Sequence, residues 1–183
     1  MKSLEELKAI KEKALGDIYV RNVKEATGST DGKTNDGYRA HIMVCAGTGC
    51  TSSGSVTLIK EFERLIKEAG IENEVKIIKT GCFGLCAEGP IVVVYPEAAM
   101  YCQVKPEDVA EIVTEHLVNG KIVKRLLEGV EKSDDETVTE EDLEGSDFFK
   151  KQQRVALHNC GKINPENIEE YIAHDGYFAL GKA

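Results

Sequence analysis

The chain has 183 residues, with 32 acidic and 23 basic side chains and a formal net charge of −9. So acidic a balance excludes a nonspecific grip on nucleic acid, which needs a basic face. The longest unbroken apolar runs, such as Ile91 to Tyr95, are far too short to span a bilayer, and MKSLEELKAI at the start holds no apolar signal core, so a cytoplasmic protein with no membrane insertion is expected. Hydrophobic residues at 42% and charged residues at 30% suit a globular chain. Most of the charge is local: Glu131 to Glu144 holds eight acids and one lysine, which leaves the rest at −2.

In chain order, residues 1–16 are expected as an amphipathic helix. Ser3 and Glu6 form a capping box, Leu4, Leu7, Ile10 and Ala14 share one face, and Gly16 ends the run. Residues 25–37, EATGSTDGKTNDG, are rich in turn formers and close this lead-in of 1–37. Residues 38–126 are expected to form the compact domain. Ala40 to Val44 reads as a strand. Ser55 to Ala69 reads as a helix with Val56, Ile59, Phe62, Leu65 and Ile66 on one stripe and Gly70 as its cap. Val75 to Ile78 is a short strand, and Ile91 to Tyr95 a buried one after Gly89-Pro90. Met100, Cys102 and Val104 alternate as one face of a neighbouring strand. Pro106 opens a helix with Val109, Ile112, Val113 and Leu117 inward, ended by Gly120. The order β-α-β-β-β-α predicts an α/β, thioredoxin-like arrangement. Residues 127–145 read as a solvated acidic linker. In 146–183, Asn164-Pro165-Glu166 is expected to cap a helix with Ile168, Tyr171 and Ile172 on one side. So short a helix needs a larger body, or the 38–120 segment, to cover it.

Six cysteines occur, and four form two tight pairs. Cys45 and Cys50 bracket AGTG, and Cys82 and Cys86 bracket FGL, with 31 residues between the pairs. Each pair lies in a glycine-containing loop just after a strand. The intervening helix and strand would return the second loop beside the first. A reducing compartment disfavours a disulfide framework. Four thiolates so gathered suit a [2Fe–2S] cluster or a structural zinc ion. The plant-type C-x4-C-x2-C run is absent, and no histidine for a Rieske centre lies in either loop. Backbone N–H groups at such loops can donate to anionic sulfur.

The remaining candidates read as structural. Cys102 fits a small core residue, and Cys160, in HNCGKINP, has no partner nearby in sequence. Glu88 reads as a surface carboxylate. His116 reads as a packed helix residue, and His41, His158 and His174 lack ligand spacing. GSTDGKT at Gly28 to Thr34 is one residue short of a phosphate-binding loop and follows no strand, and no G-x-G-x-x-G follows a strand.

VCAGTGCTSSG followed by KTGCFGLCAEGPIVVVYPEAAMYCQVKPEDV closely resembles the N-terminal thioredoxin-like [2Fe–2S] domain of NADH-binding subunits of NAD(P)-dependent, often electron-bifurcating, iron-only hydrogenases. Those subunits are similar to the flavoprotein subunit of respiratory complex I. FFKKQQRVALHNCGKINPENIEEYIAHDGYFALGKA resembles the segment that leads into their flavin domain. The resemblance implies that Cys45, Cys50, Cys82 and Cys86 ligate one [2Fe–2S] cluster, which moves one electron at a time. The implied partners are a hydrogenase catalytic subunit, a flavin/NADH-binding segment and other iron–sulfur subunits. Members of that family continue well beyond the position of Ala183. FMN, NADH oxidation and further clusters are therefore expected in that remainder or in partner subunits, not in these 183 residues. The rival readings are a free-standing ferredoxin of the same fold, a zinc-stabilised assembly domain, and a thiol oxidoreductase, the last disfavoured because no C-x-x-C occurs.

Overall fold

The computed structural model of the chain describes residues 3–21, 32–127 and 155–181. The acidic linker, Leu127 aside, and most of the 25–37 loop lie outside those residues.

The first helix, α1 (Leu4–Asp17), begins on the expected capping box. Glu6 N–H donates to the Ser3 hydroxyl at 3.2 Å, and Ser3 N–H donates to the Glu6 carboxylate at 2.6 Å. Leu7 and Ala14 are buried, whereas Leu4 is exposed. Gly16 does not end the helix, which runs to Asp17 and caps at Ile18. Its role is close approach: a Cβ there would stand 2.1 Å from Asn35 Nδ2. Asn35 instead donates to the carbonyls of Gly16 at 3.2 Å and Lys13 at 3.1 Å, tying the 32–38 turn to the end of α1.

The sheet comprises β1 (Ala40–Cys45), β2 (Val75–Thr80), β3 (Val92–Tyr95) and β4 (Ala99–Tyr101), in the order β2-β1-β3-β4. β1 runs parallel to β2, in register from Ala40↔Val75 to Cys45↔Thr80, and antiparallel to β3. β3 and β4 form an antiparallel pair. The crossover between β1 and β2 carries a short α2 (Thr48–Ser52) and the long α3 (Ser55–Glu68). After β4, α4 (Asp108–Glu111) continues as a π-helix over Ile112–Val118. The expected β-α-β-β-β-α order is present, with α2 added at the first cysteine loop.

Every β1 residue is buried, because both faces of the sheet are covered. That is why its residues are apolar throughout, His41 excepted, instead of alternating. Ala40, Ile42 and Val44 meet Leu58, Phe62 and Ile66 of α3, Val109 of α4 and Ile112 of its π-helical continuation. Met43, Cys45, Ile78 and Val93 face the other way, with Cys50, Phe83, Ile91 and Cys102. Each fully buried Leu, Ile or Phe in these layers contributes roughly 1.5–3 kcal/mol of transfer free energy.

Two expectations need correction here. Met100, Cys102 and Val104 do not share a face: β4 ends at Tyr101, and Gln103 takes a φ of +52°. That left-handed residue breaks the alternation, so Cys102 joins the Met43 layer and Val104 the α3 layer. The tail helix α5 (Ile168–Ala173) is capped not by Asn164 but by Asn167, whose side chain accepts the Glu169 N–H at 2.9 Å. Of Ile168, Tyr171 and Ile172, only Ile172 is buried; Glu170 and Ala173 are buried with it. The partner of α5 is α1, with Ala14, Ile18 and Ala173 forming a small core between them and Lys11 pairing with Asp175 at 2.5 Å. His116 is the packed histidine its position suggested: it is buried, with Nδ1 2.7 Å from the Tyr101 hydroxyl. No helix of the described residues is long and apolar enough to cross a membrane.

Candidate metal centre

Parallel pairing brings the two cysteine loops together. Cys45 is the last residue of β1 and lies in register with Thr80, the last of β2. Both chains therefore leave the sheet at the same end. Ala46 N–H donates to the Thr80 carbonyl at 3.0 Å and Cys45 N–H to the Ile91 carbonyl at 3.0 Å, which holds the exits together. Cys50 sits in α2, which starts at Thr48 with Gly47 as its cap. Cys86 begins a 3₁₀ turn over Cys86–Glu88.

The loops interlock through glycine. A Cβ at Gly47 would stand 3.0 Å from Cys82 Cβ and 3.3 Å from Cys82 Sγ, and one at Gly49 would be 3.5 Å from Cys86 Sγ. A Cβ at Gly89 would stand 2.7 Å from Cys50 Sγ. Each loop thus packs its backbone on the sulfurs of the other, most tightly at Gly89, where any side chain would collide with Cys50 Sγ.

The four sulfurs form two pairs. Cys82 Sγ and Cys86 Sγ are 3.7 Å apart, and the Cys45 thiol lies near enough to Cys50 to act on its ionisation. Gly84 N–H donates to Cys82 Sγ at 3.3 Å, the N–H···S contact expected of such a loop. Burial, and next the Cys45 thiol, push Cys50 up to about 11. Cys86 is raised too, first by its hydrogen bond with Cys82. Crowded thiols resist ionising side by side, and a bound cation reverses that balance. Among the described residues no group of three or more His, Cys, Asp or Glu side chains is placed to hold a metal ion.

Exposure grades across the site. Cys45 and Cys50 are buried, Cys82 is intermediate and Cys86 is exposed. Phe83, Ile91 and Cys102 pack behind the sulfurs, so Cys102 is the core residue its sequence context suggested. Glu88 is half-buried, and its carboxylate accepts from Gln103 Nε2 at 3.2 Å.

Three features of the site are distant in sequence. Cys160 Sγ lies 3.5 Å from the Cβ position of Gly81. Gly161 lies so near Phe83 that a Cβ there would be 2.6 Å from the ring. Arg21 and Glu170 form a buried bidentate pair at 2.7 and 2.9 Å. No local pattern announces these contacts, since the partners are up to 149 positions apart.

Comparison with known proteins gives a consistent picture. The profile of the thioredoxin-like [2Fe-2S] ferredoxin family matches residues 31–117. A 2Fe-2S ferredoxin of Clostridium pasteurianum is 43% identical over 94 residues, covering 47% of this chain and 92% of that protein. A 2Fe-2S ferredoxin of Aquifex aeolicus is 38% identical over 96 residues, covering 48% and 86%. The crystal structure of the wild-type thioredoxin-like [2Fe-2S] ferredoxin from Aquifex aeolicus matches with 38% identity and a TM-score of 0.46, covering 48% of this chain and 94% of that one. The NADP-reducing hydrogenase subunit HndC of Solidesulfovibrio fructosivorans is 58% identical over 33 residues, which is 18% of this chain and 7% of that protein.

Proposed function

The chain belongs to the thioredoxin-like [2Fe-2S] ferredoxins, an electron-transfer family, and from that membership we propose that Cys45, Cys50, Cys82 and Cys86 ligate its cluster. The observation that carries the assignment is the glycine interlock: Gly47, Gly49 and Gly89 bring two sulfur pairs from separate loops into one site. Two pairs suit two irons, one for each pair. A structural zinc ion, with four sulfurs about 2.3 Å from one centre, is the alternative occupant of the same four cysteines.

A cluster held there supplies storage of one electron at a time. The protein's own part is to fix, tune and expose it. Gly84 N–H, directed at Cys82 Sγ, partly neutralises the thiolate and favours the more negative state. Phe83, Ile91 and Cys102 keep water from the inner side. Cys86, the exposed cysteine of the four, marks the edge through which electrons enter and leave.

The setting proposed for this electron transfer is a multisubunit NAD(P)H-dependent hydrogenase, of the electron-bifurcating kind, or a related NADH oxidoreductase. Its NADH and FMN sites and further clusters would lie outside these 183 residues. Hydride chemistry moves electron pairs, so a flavin must divide them before a one-electron carrier can take part. The match to a hydrogenase subunit favours this setting, as does the chain that lies beyond the family match of residues 31–117. The second reading, a free-standing ferredoxin, is favoured by the 92% coverage of the clostridial ferredoxin.

Anaerobic purification tests the assignment. The protein should be coloured and hold iron and inorganic sulfide in equal amounts, and serine at any one of the four cysteines should reduce or redistribute them. A colourless protein holding one zinc would overturn it. Flavin- and iron–sulfur-containing subunits copurifying with the chain from its own cells support the assembly; a lone chain that accepts electrons transiently supports the ferredoxin.

A further inference from the structure

We infer that the segment around residues 157–164 is a cover for the second cysteine loop, locked in place by the Arg21–Glu170 pair, and that its docking holds the reduction potential of the site low. The inference rests on the ligand assignment above and concerns parts of the chain outside the family match of residues 31–117.

The contacts run from the ion pair to the sulfurs. Arg21 closes the 3₁₀ turn Tyr19–Arg21 that follows α1. Its guanidinium donates to both oxygens of Glu170 and, from Nη1, to the Lys162 carbonyl at 2.9 Å. The same nitrogen lies 3.8 Å from Met43 Sδ, in the layer that contains Cys45. Glu170 in turn accepts the Asn164 N–H at 2.7 Å. One carboxylate thus joins α5, the 162–164 turn and the end of α1. Both charged side chains are nearly inaccessible, at 3% and 4%, so neither can lose its partner without leaving a buried charge uncompensated.

On the far side of that turn the segment rests on the cysteine loop. Thr80 Oγ1, one residue before Gly81, donates to the Ile163 carbonyl at 2.9 Å. Cys160 sits over Gly81, and Gly161, at a φ of +82°, lies flat against the Phe83 ring. Gly81 and Phe83 flank Cys82. A segment seated there excludes water from Cys82, a half-covered cysteine beside the exposed Cys86. A reduced cluster carries one more negative charge than an oxidised one, and water stabilises that extra charge better than packed protein does. Cover in place therefore disfavours reduction, and cover released favours it.

Two substitutions in the full chain release the segment from opposite ends. Glu170→Gln unlocks the ion pair. Gly161→Val leaves the pair intact but drives a side chain into Phe83 at a left-handed position. Amide exchange of residues 157–164 reports docking, a redox titration followed by visible absorption and EPR reports potential, and bleaching by an iron chelator reports access. Each single variant should lose exchange protection in the segment, bleach at least tenfold faster, and shift the reduced-to-oxidised ratio at fixed potential about tenfold towards reduced, which is about 59 mV for a one-electron couple. Loss of protection with potential and bleaching unchanged overturns the inference, as does unchanged protection in both single variants. A parent protein without cluster absorption instead overturns the ligand assignment on which the inference rests.

Discussion

His41 should set an acid limit on the stability of the fold. It sits in the middle of the sheet, on β1, opposite Tyr95 of β3 and Lys76 of β2. It is 0% exposed, and neither ring nitrogen finds a hydrogen-bond partner among the described residues. Burial first, and then the Arg21 and Lys76 charges, hold it down to about 3, with Asp36 opposing. The unfolded chain takes up the proton near its ordinary value of 6.5, so between these values the unfolded state binds more protons, and stability is lost as pH falls. One such group removes about 2 kcal/mol between roughly pH 7.5 and pH 5, and about 4 kcal/mol by about pH 3. Carboxylates add acid limbs of their own, so the measurement is a difference. His41→Leu keeps a similar volume and removes two buried orphaned nitrogens, and should be no less stable near neutrality. Native-state amide exchange of Ile42 and Val44 in the cluster-loaded protein, corrected for intrinsic rates, reads opening free energy at both pH values. The parent should lose about 2 kcal/mol more than the variant on acidification. Equal losses would refute the reasoning and place a protonatable, solvated imidazole in the sheet.

Other substitutions probe separate links. Gly89→Ala keeps an ordinary φ of −74° but places a methyl 2.7 Å from Cys50 Sγ; cluster loading should fall at least by half with the circular dichroism of the fold retained, and full iron content would contradict the glycine interlock. Phe62→Ala empties the centre of the α3 layer, where the ring is 0% exposed, and should cost about 3–5 kcal/mol in denaturant unfolding. Tyr101→Phe removes the hydroxyl that accepts the Val123 N–H at 3.1 Å and meets His116 Nδ1; two buried polar groups lose their partner, and a loss of about 1–3 kcal/mol should appear in the same assay.

Elements whose signal is local were legible in the residues. The Ser3–Glu6 capping box, the 3.6-residue stripe of α3 and the apolar runs of β1 and β3 each report an interaction within one turn or one strand. The meeting of the two cysteine loops was legible for the same reason: each cysteine pair is separated by a few residues, and strand–helix–strand spacing returns the second loop to the first. Local pattern misled where a backbone dihedral intervened. Alternation at Met100, Cys102 and Val104 supposes an extended chain, and the positive φ of Gln103 rotates the last of them to the opposite layer. It misled again at Gly16, which reads as a helix stop in sequence and serves in the fold to let Asn35 approach.

The residues by themselves determined the element order, the pairing of four cysteines at glycine loops and the family to which the chain belongs. Tertiary structure decided what covers those loops. α5 has six residues, too few to be stable alone, so its sequence carries a hydrophobic face but no address. The address is the buried Arg21–Glu170 pair and the flat surface of Gly161 on Phe83, groups far apart in the chain that meet only once the sheet and α1 are in place. Periodicity reports which side of an element is buried; which neighbour buries it depends on desolvation and fit between surfaces that exist only in the folded protein.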